Sequence, residues 1–409
     1  MKKLGRVLTL FILLFKLPVI CDAEEGIQGN TIYFGSVLAL KGNARDLGLG
    51  MKAGLNAALK GKTVGGLKIE ILYKNDNYEP DLAVKATQEL INKPVFLMIG
   101  NVGTPTAKVT LPLLAAHNIP AVGFFTGAGL LRPGVAPTVN FRASYVQETG
   151  AVINAAIQNG IKPNEICAYV QNDAYGMAGL TGVKNVLANQ SNTESIIKLL
   201  DQIIRTKGSE PKRNNIGPVG TYTRNTKEVV SGYASLKKWE KNSATKCKLV
   251  VTVGAYENIA KFIWHANYKQ REHWIISAVS FTGADNLKRF LSHYKSSKNV
   301  LMTQVVPLTD SNLPIVEEAK NEIGRRFGYV SLEGFIVGKM LLKIMEDIAP
   351  PITRGKFLKQ ARRSKFNMGG VAIDFTKNGY QGSDKVEISV LGNDGFETLS
   401  SDFWKKAIN

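Results

Sequence analysis

Short β-branched runs alternate along the chain with longer runs whose apolar residues recur every three or four positions, which predicts strands and helices in turn. "TIYFGSVLAL" predicts a strand entering a loop, "GLGMKAGLNAALKG" a helix, "LKIEILYKND" a strand and "EPDLAVKATQELINK" a helix. "VFLMIG", "PTAKVTLPLLAAHN" and "IPAVGFF" continue as strand, helix and strand. After Phe141 the series restarts with "ETGAVINAAIQNG" as helix, "EICAYVQND" as strand and "GLTGVKNVLANQ" as helix. It runs on through the strands "GPVGTYT", "CKLVVTVG" and "HWIISAVS", with "TKEVVSGYASLKKWE" and "NIAKFIWHAN" as the helices between them. The stretch 190–217 shows no clear period, and "TKGSEPKRNN" within it predicts an exposed loop.

Repeated β-α-β units force parallel strands with right-handed crossovers. The predicted fold class is therefore α/β, with two doubly wound parallel-sheet lobes and a ligand cleft between them. From "NVLMTQVVPLTD" through the long helix "LEGFIVGKMLLKIMEDIA" there are too few strands for a third domain, so this section is expected to complete the first lobe. The tail "VEISVLGNDGFETL" predicts hairpin strands. The expected division assigns 27–143 with 308–376 to lobe 1 and 144–304 with 380–409 to lobe 2, crossing near 142–148, 302–309 and 376–384.

At 409 residues the chain has the length for two such lobes of ~150–200 residues each. Residues 1–23 combine a basic start, an apolar stretch of secretory length and a small-x-Ala ending at Cys21-Asp22-Ala23, so they are expected to be a cleaved signal peptide. Ile20 is too large for a lipidation site at Cys21. No later segment is apolar for long enough to span a membrane, so the mature chain is expected to be periplasmic, without stable membrane insertion. Two cysteines then remain, Cys167 and Cys247, in a compartment that permits a disulfide. In a 2-1-3 strand order their strands are neighbours, which brings them close enough to pair; a bond and two buried thiols both stay open.

The formal charge of +19 stays strongly positive once Lys2, Lys3, Arg6, Lys16 and Asp22 leave with the signal. The lysines are scattered and no basic run is interleaved with aromatics, so nucleic acid is not an expected partner. Attraction to an acidic partner or an anionic surface and a merely solvated lysine face both fit. Catalytic signatures are missing: "GLNAALKGKT" has six residues between Gly54 and Gly61 where a phosphate-binding loop needs four. His117, His265, His273 and His293 lack metal-ligand spacing, and no serine sits in a G-x-S-x-G elbow. Neither an enzyme nor a cofactor is expected.

The informative residues fall in loops at predicted strand ends, where open α/β sheets bind ligands. In "GNVGTPT", Thr104 has the chemistry of a helix N-cap and Pro105 that of a first helical residue. Such a helix start favours an anion, although a cap that merely shapes a turn explains the same residues. "GFFTGAG" repeats the theme at the next strand, while "NDAYGMAG" and "GAYEN" place Asp173, Tyr175 and Tyr256 at equivalent ends in the second lobe.

Ten segments in order carry a resemblance: "GSVLALKGNARDLGLG", "NDNYEP", "IGNVGTPT", "IPAVGFFTGAGLLRP", "FRASYVQE", "YVQNDAYGMAGLTGV", "YTRNT", "VGAYENIAKFI", "VSFTGADNL" and "LEGFIVGKM". Together they resemble periplasmic substrate-binding proteins of branched-chain amino acid type, with the type I periplasmic binding protein fold, across nearly the whole mature chain. The resemblance implies a monomer that captures a small-molecule solute between closing lobes and presents it to an ABC permease; a sensor that signals to a membrane receptor is the alternative. It also implies that Thr104 holds a ligand carboxylate, with Thr106 beside it, and that Phe125, Thr126 and Gly127 belong to the loop that binds the carboxylate and ammonium. Tyr175 and Tyr256 match aromatic contacts from the second lobe, and Tyr78 in "NDNYEP" is a further candidate ligand contact. In one respect the chain departs from the pattern: where amino-acid binders place an acid for the ammonium, "ISAVSFTGADN" has Ser280 and Phe281. A desolvated ammonium without a countercharge is costly. The ligand is thus an amino acid served by Asp173 or Glu257, or else an aromatic or aliphatic carboxylate, an amide or a nucleobase-like compound that stacks on Phe281, Tyr175 or Tyr256.

Overall fold

The computed structural model describes residues 24–208, 210–294 and 298–408, so the predicted signal peptide lies outside the described residues. Two parallel sheets organise the molecule. The first runs in the order 63–64, 67–75, 31–38, 97–99, 121–122 and 138–139, with 27–28 antiparallel to 31–38. The second runs 396–398, 387–391, 300–304, 275–278, 249–253, 166–171 and 219–222. Strands Ile166–Gln171, Leu249–Val253 and Val300–Gln304 are buried at every position. This accounts for their largely apolar sequences, because parallel strands are covered on both faces.

In both sheets the first three main strands take the order 2-1-3. In the second this sets Leu249–Val253 beside Ile166–Gln171, and Cys167 and Cys247 form a disulfide with Cα atoms 5.7 Å apart. The tail forms the antiparallel pair Glu387–Leu391 and Phe396–Thr398 at the sheet edge.

The chain passes to the second sheet after Val139 and leaves it after Gln304. It then sends helices Pro314–Ile323 and Tyr329–Glu346 back against helix Arg45–Leu59 of the first. Close packing here depends on Gly54: a Cβ at that position would lie 2.0 Å from the Ser331 carbonyl oxygen. Arg132 ties two of the crossings together, donating to Gln381 Oε1 (2.6 Å) and to the Arg142 carbonyl (2.8 Å).

Three local features differ from the sequence reading or add to it. The stretch 190–217, which showed no clear period, contains helix Glu194–Arg205 ahead of its predicted loop, and the helix buries Ile196, Leu200 and Ile203 along one stripe. "IPAVGFF" contributes only Ala121–Val122 as strand. Residues 365–374 form a separate two-stranded hairpin.

Candidate functional site

Strand Leu97–Ile99 ends in a turn at Gly100–Gly103 that opens helix Thr104–Ala116. Gly103 has φ +110°, and a Cβ there would meet the Tyr78 ring at 2.4 Å, so only glycine lets that ring lie on the turn. Gly103, not Thr104, occupies the N-cap, and no side chain caps the helix. The Thr104 hydroxyl, free of capping, instead pairs with the Thr126 hydroxyl of the next strand end at 2.7 Å. Both threonines are completely buried. Thr106 points elsewhere: its hydroxyl donates back to the Val102 carbonyl at 2.7 Å and is consumed by the helix.

Tyr78 arrives from the neighbouring strand end on a strained turn. Asn77 and Tyr78 have φ of 52° and 63°, a costly conformation for a bulky residue, held by the Tyr78 N–H donating to Asp76 Oδ1 at 2.8 Å. Asp76 Oδ2 has no hydrogen-bond partner, and burial pushes the carboxyl up to about 7.

From the second sheet, Asp173 caps helix Ala174–Leu187 by accepting from the Tyr175 N–H at 3.0 Å, which aims the Tyr175 ring inward. Phe281, on the short turn Ser280–Thr282, is the hub of an aromatic cluster. Its ring centroid lies 5.0 Å from Phe125, 4.7 Å from Tyr175 and 6.0 Å from Tyr78, and Tyr145 lies 5.2 Å from Tyr175. Rings from both lobes therefore meet in one fully buried cluster, Phe281 stacking on Phe125 and tilting against Tyr78 across the lobes. Gly127 contributes its carbonyl, which accepts from the Tyr145 N–H at 2.8 Å. Tyr256 stands apart, stacked on Phe290 at 5.6 Å with its hydroxyl accepting from the Asp46 N–H at 3.4 Å.

Charges missed in the sequence line this cluster. The Arg142 guanidinium lies over the Phe125 and Tyr145 rings at 5.2 and 5.6 Å, donates to Glu148 Oε1 at 2.8 Å and also reaches the Ser280 hydroxyl. Its Nη1 stands 3.5 Å from Glu333 Oε1. Glu148 Oε2 accepts from the Ser280 N–H and the Thr303 hydroxyl, each at 2.7 Å. Burial works against the charge of Arg142, but Glu333 and Glu148 more than offset it and hold its pKa above the ordinary value. Burial prevails at Glu333, whose carboxyl is pushed up to about 7. Arg142 Nε and Nη1 and the Tyr145 hydroxyl, all buried, have no hydrogen-bond partner. The signal available in the sequence was a lone charge inside an apolar stretch, in "FRASY" and again in "LEGFIVG".

The two carboxylates considered for a ligand ammonium are already paired. Asp173 faces Arg224 at 3.1 Å and Glu257 faces Lys227 at 2.5 Å. Arg224 also reaches across to Glu79 at 2.6 Å, where Asn225 joins it at 2.6 Å. Gln171 donates to the Tyr78 hydroxyl at 3.2 Å. These contacts hold the two lobes together at the mouth of the cleft.

Residues 31–195 match the family model described as periplasmic binding protein. A possible leucine/isoleucine/valine-binding protein from Rhodopirellula baltica is 31% identical, with a TM-score of 0.79, over 92% of this chain and 97% of its own. A branched-chain amino acid ABC transporter protein from Thermus thermophilus with bound valine shares the fold at 16% identity and TM-score 0.68, over 93% of this chain and 99% of its own. So does a solute-binding protein from R. palustris in complex with 4-hydroxybenzoate, at 15% identity and TM-score 0.68, over 90% and 96%. No curated protein matches the sequence.

Proposed function

Since the chain belongs to the periplasmic binding protein family, as a member of its leucine/isoleucine/valine-binding type, we propose that it captures a small solute, an amino acid or a related carboxylate or amide, between two closing lobes and delivers it to an ABC importer. The family is one of solute binders, and the chain is not an enzyme. Among the described residues no helix is long and apolar enough to cross a membrane. We place the protein in the periplasm, as a monomer, after removal of residues 1–23.

The observation that carries this reading is the convergence of both lobes on one buried site. Thr104 and Thr126 from the first sheet offer hydroxyls beside a helix start, and Phe281 from the second stacks on the neighbouring Phe125 with Tyr175 edge-on behind it. A carboxylate or carbonyl oxygen seated there gains charge-assisted hydrogen bonds worth about 1.5–3 kcal/mol each.

Native mass spectrometry of gently purified protein is expected to show one small solute per chain. Thr104→Val should weaken that solute about ten- to a hundred-fold by calorimetric titration, from ~1.5–3 kcal/mol of lost hydrogen bonding. It should also cost ~1 kcal/mol of stability through the lost Thr126 partner. Affinity retained alongside the stability loss would reduce Thr104 to a packing role.

Arg224→Ala removes the bridge between Glu79 and Asp173. Its closed form should lose about 1 kcal/mol, so solute affinity drops about fivefold. X-ray scattering of the unliganded variant should report a larger radius of gyration. Equal radius and affinity in variant and parent would deny Arg224 any role in closure.

A further inference from the structure

We infer that Glu148 is a positioning residue for the solute site: through Ser280 it sets the turn that carries Phe281, and so fixes one wall of the cleft to the chain crossings between the lobes. The inference rests on the solute-binding reading and adds to it the device that holds this wall in place.

Phe281 projects from the turn Ser280–Thr282 between two anchors of different kinds. On one side the Thr282 hydroxyl donates to the Gly254 carbonyl at 2.8 Å, a neutral bond within the second lobe. On the other side Ser280 is held by charged groups: its N–H donates to Glu148 Oε2 at 2.7 Å, and its hydroxyl accepts from the Arg142 guanidinium. Hydrogen bonds to ionised partners are roughly twice as strong as neutral ones, so the Glu148 side decides where the turn sits.

The two carboxylates beside Arg142 are not equivalent. Glu148 uses both oxygens, Oε1 for Arg142 at 2.8 Å and Oε2 for the Ser280 N–H and the Thr303 hydroxyl. Glu333 stands 3.5 Å from the guanidinium and, among the described residues, has no hydrogen bond to the turn. Either carboxylate can balance the buried cation, but only Glu148 also holds Ser280.

Glu148 is itself held from the crossings. It lies in the first turn of helix Tyr145–Gln158, which opens on a capping box between Ser144 and Gln147. The Gln147 amide donates to Asp384 at 2.9 Å, and its Oε1 accepts from Gln381 at 3.1 Å. Tyr145, three residues before Glu148 on the same helix face, sets its ring 5.2 Å from Tyr175. Bonded groups therefore run from the crossings through Gln147, Glu148 and Ser280 to Phe281, whose ring stacks on Phe125 of the first lobe. As the lobes close and the crossings bend, this ring moves with them.

The test replaces Phe281 with 4-fluorophenylalanine in the solute-stripped full chain, labels Phe290 in the same way in a second sample, and records fluorine NMR spectra. Glu148→Ala leaves the Arg142 guanidinium with Glu333 as its counter-ion. Glu148→Gln keeps the volume but has a single acceptor oxygen for two sides. Both should shift or split the resonance at 281 and leave that at 290 in place. Thr303→Val removes the other donor to Oε2 and lowers stability, yet should leave the resonance at 281 unmoved; a merely stabilising Glu148 predicts that all three variants act alike. Calorimetric titration with L-valine and 4-hydroxybenzoate adds the functional measure. The probe that the parent binds more tightly should bind about tenfold more weakly to Glu148→Ala, with no further loss where Phe281→Ala is already present. An unmoved resonance at 281 in both Glu148 variants, or equal losses with and without the Phe281 ring, overturns the inference while solute capture stands. A parent that binds neither probe and retains no solute on gentle purification overturns solute capture, and the fluorine spectra still decide what Glu148 holds.

Discussion

Arg142→Met should destabilise the protein by about 3–5 kcal/mol, because it leaves Glu148 and Glu333 facing each other in the core without their cation. All three side chains are buried: Arg142 is 1% exposed, Glu148 0% and Glu333 3%. Glu148 keeps the Ser280 N–H and the Thr303 hydroxyl, but neither carries a charge. The loss should shrink in acid. The Glu333 carboxyl, up to about 7 when folded against 4.5 as its ordinary value, holds its proton more tightly in the folded chain. Its own contribution is thus complete below about 4.5 and fades as pH rises toward 7. Replacing all three residues with apolar ones of similar volume should recover most of the stability, since a buried ion cluster is often no more stabilising than well-packed hydrocarbon. Denaturant titration at pH 5 and pH 8 measures both effects. A single variant within about 1 kcal/mol of the parent at pH 8 would show that water or rearrangement neutralises the carboxylates.

Removing the disulfide should have an effect of similar size. Cys167 and Cys247 are 80 residues apart in sequence, and closing a loop of that length restricts the unfolded chain by roughly 4 kcal/mol in the chain-entropy account. Both cysteines are nearly inaccessible, 1% and 4% exposed, so the paired alanine variant is a cleaner test than added reductant. The double variant should unfold at lower denaturant, with the deficit confined to the lobe built on the second sheet. Equal midpoints for variant and parent would mean that the bond adds nothing to a fold already fixed by its strands.

Residues that report on their own neighbourhood were legible in sequence. Alternating β-branched and amphipathic runs identified the parallel sheets, and the loops at their carboxyl ends brought Thr104, Phe125, Thr126, Tyr175 and Phe281 forward as candidates. Properties that depend on direction were not. Thr104 and Thr106 look alike on paper, yet one hydroxyl faces Thr126 and the other turns back to the Val102 carbonyl, a choice set by helix phase. Tyr256 follows its strand as Tyr175 does, but its ring leaves toward Phe290. Helix Glu194–Arg205 went unread because the polar loop after it masked the stripe of Ile196, Leu200 and Ile203. Arg142, Glu148 and Glu333 were hardest to anticipate, since their pairing exists only once distant segments meet between the sheets.

The close seating of helix Tyr329–Glu346 on helix Arg45–Leu59 also bears on the order in which the protein is made. Gly54, Ala58 and Leu59 emerge early in synthesis, but the helix that packs on them is encoded in the last quarter of the chain. Contacts of such long sequence separation bear their loop-closure entropy before they return any stability. A nascent chain therefore keeps its first lobe open until synthesis is nearly finished. Slow folding of this kind is compatible with transport across a membrane as an extended thread, and it leaves a truncated chain with an uncovered apolar stripe for proteases to find.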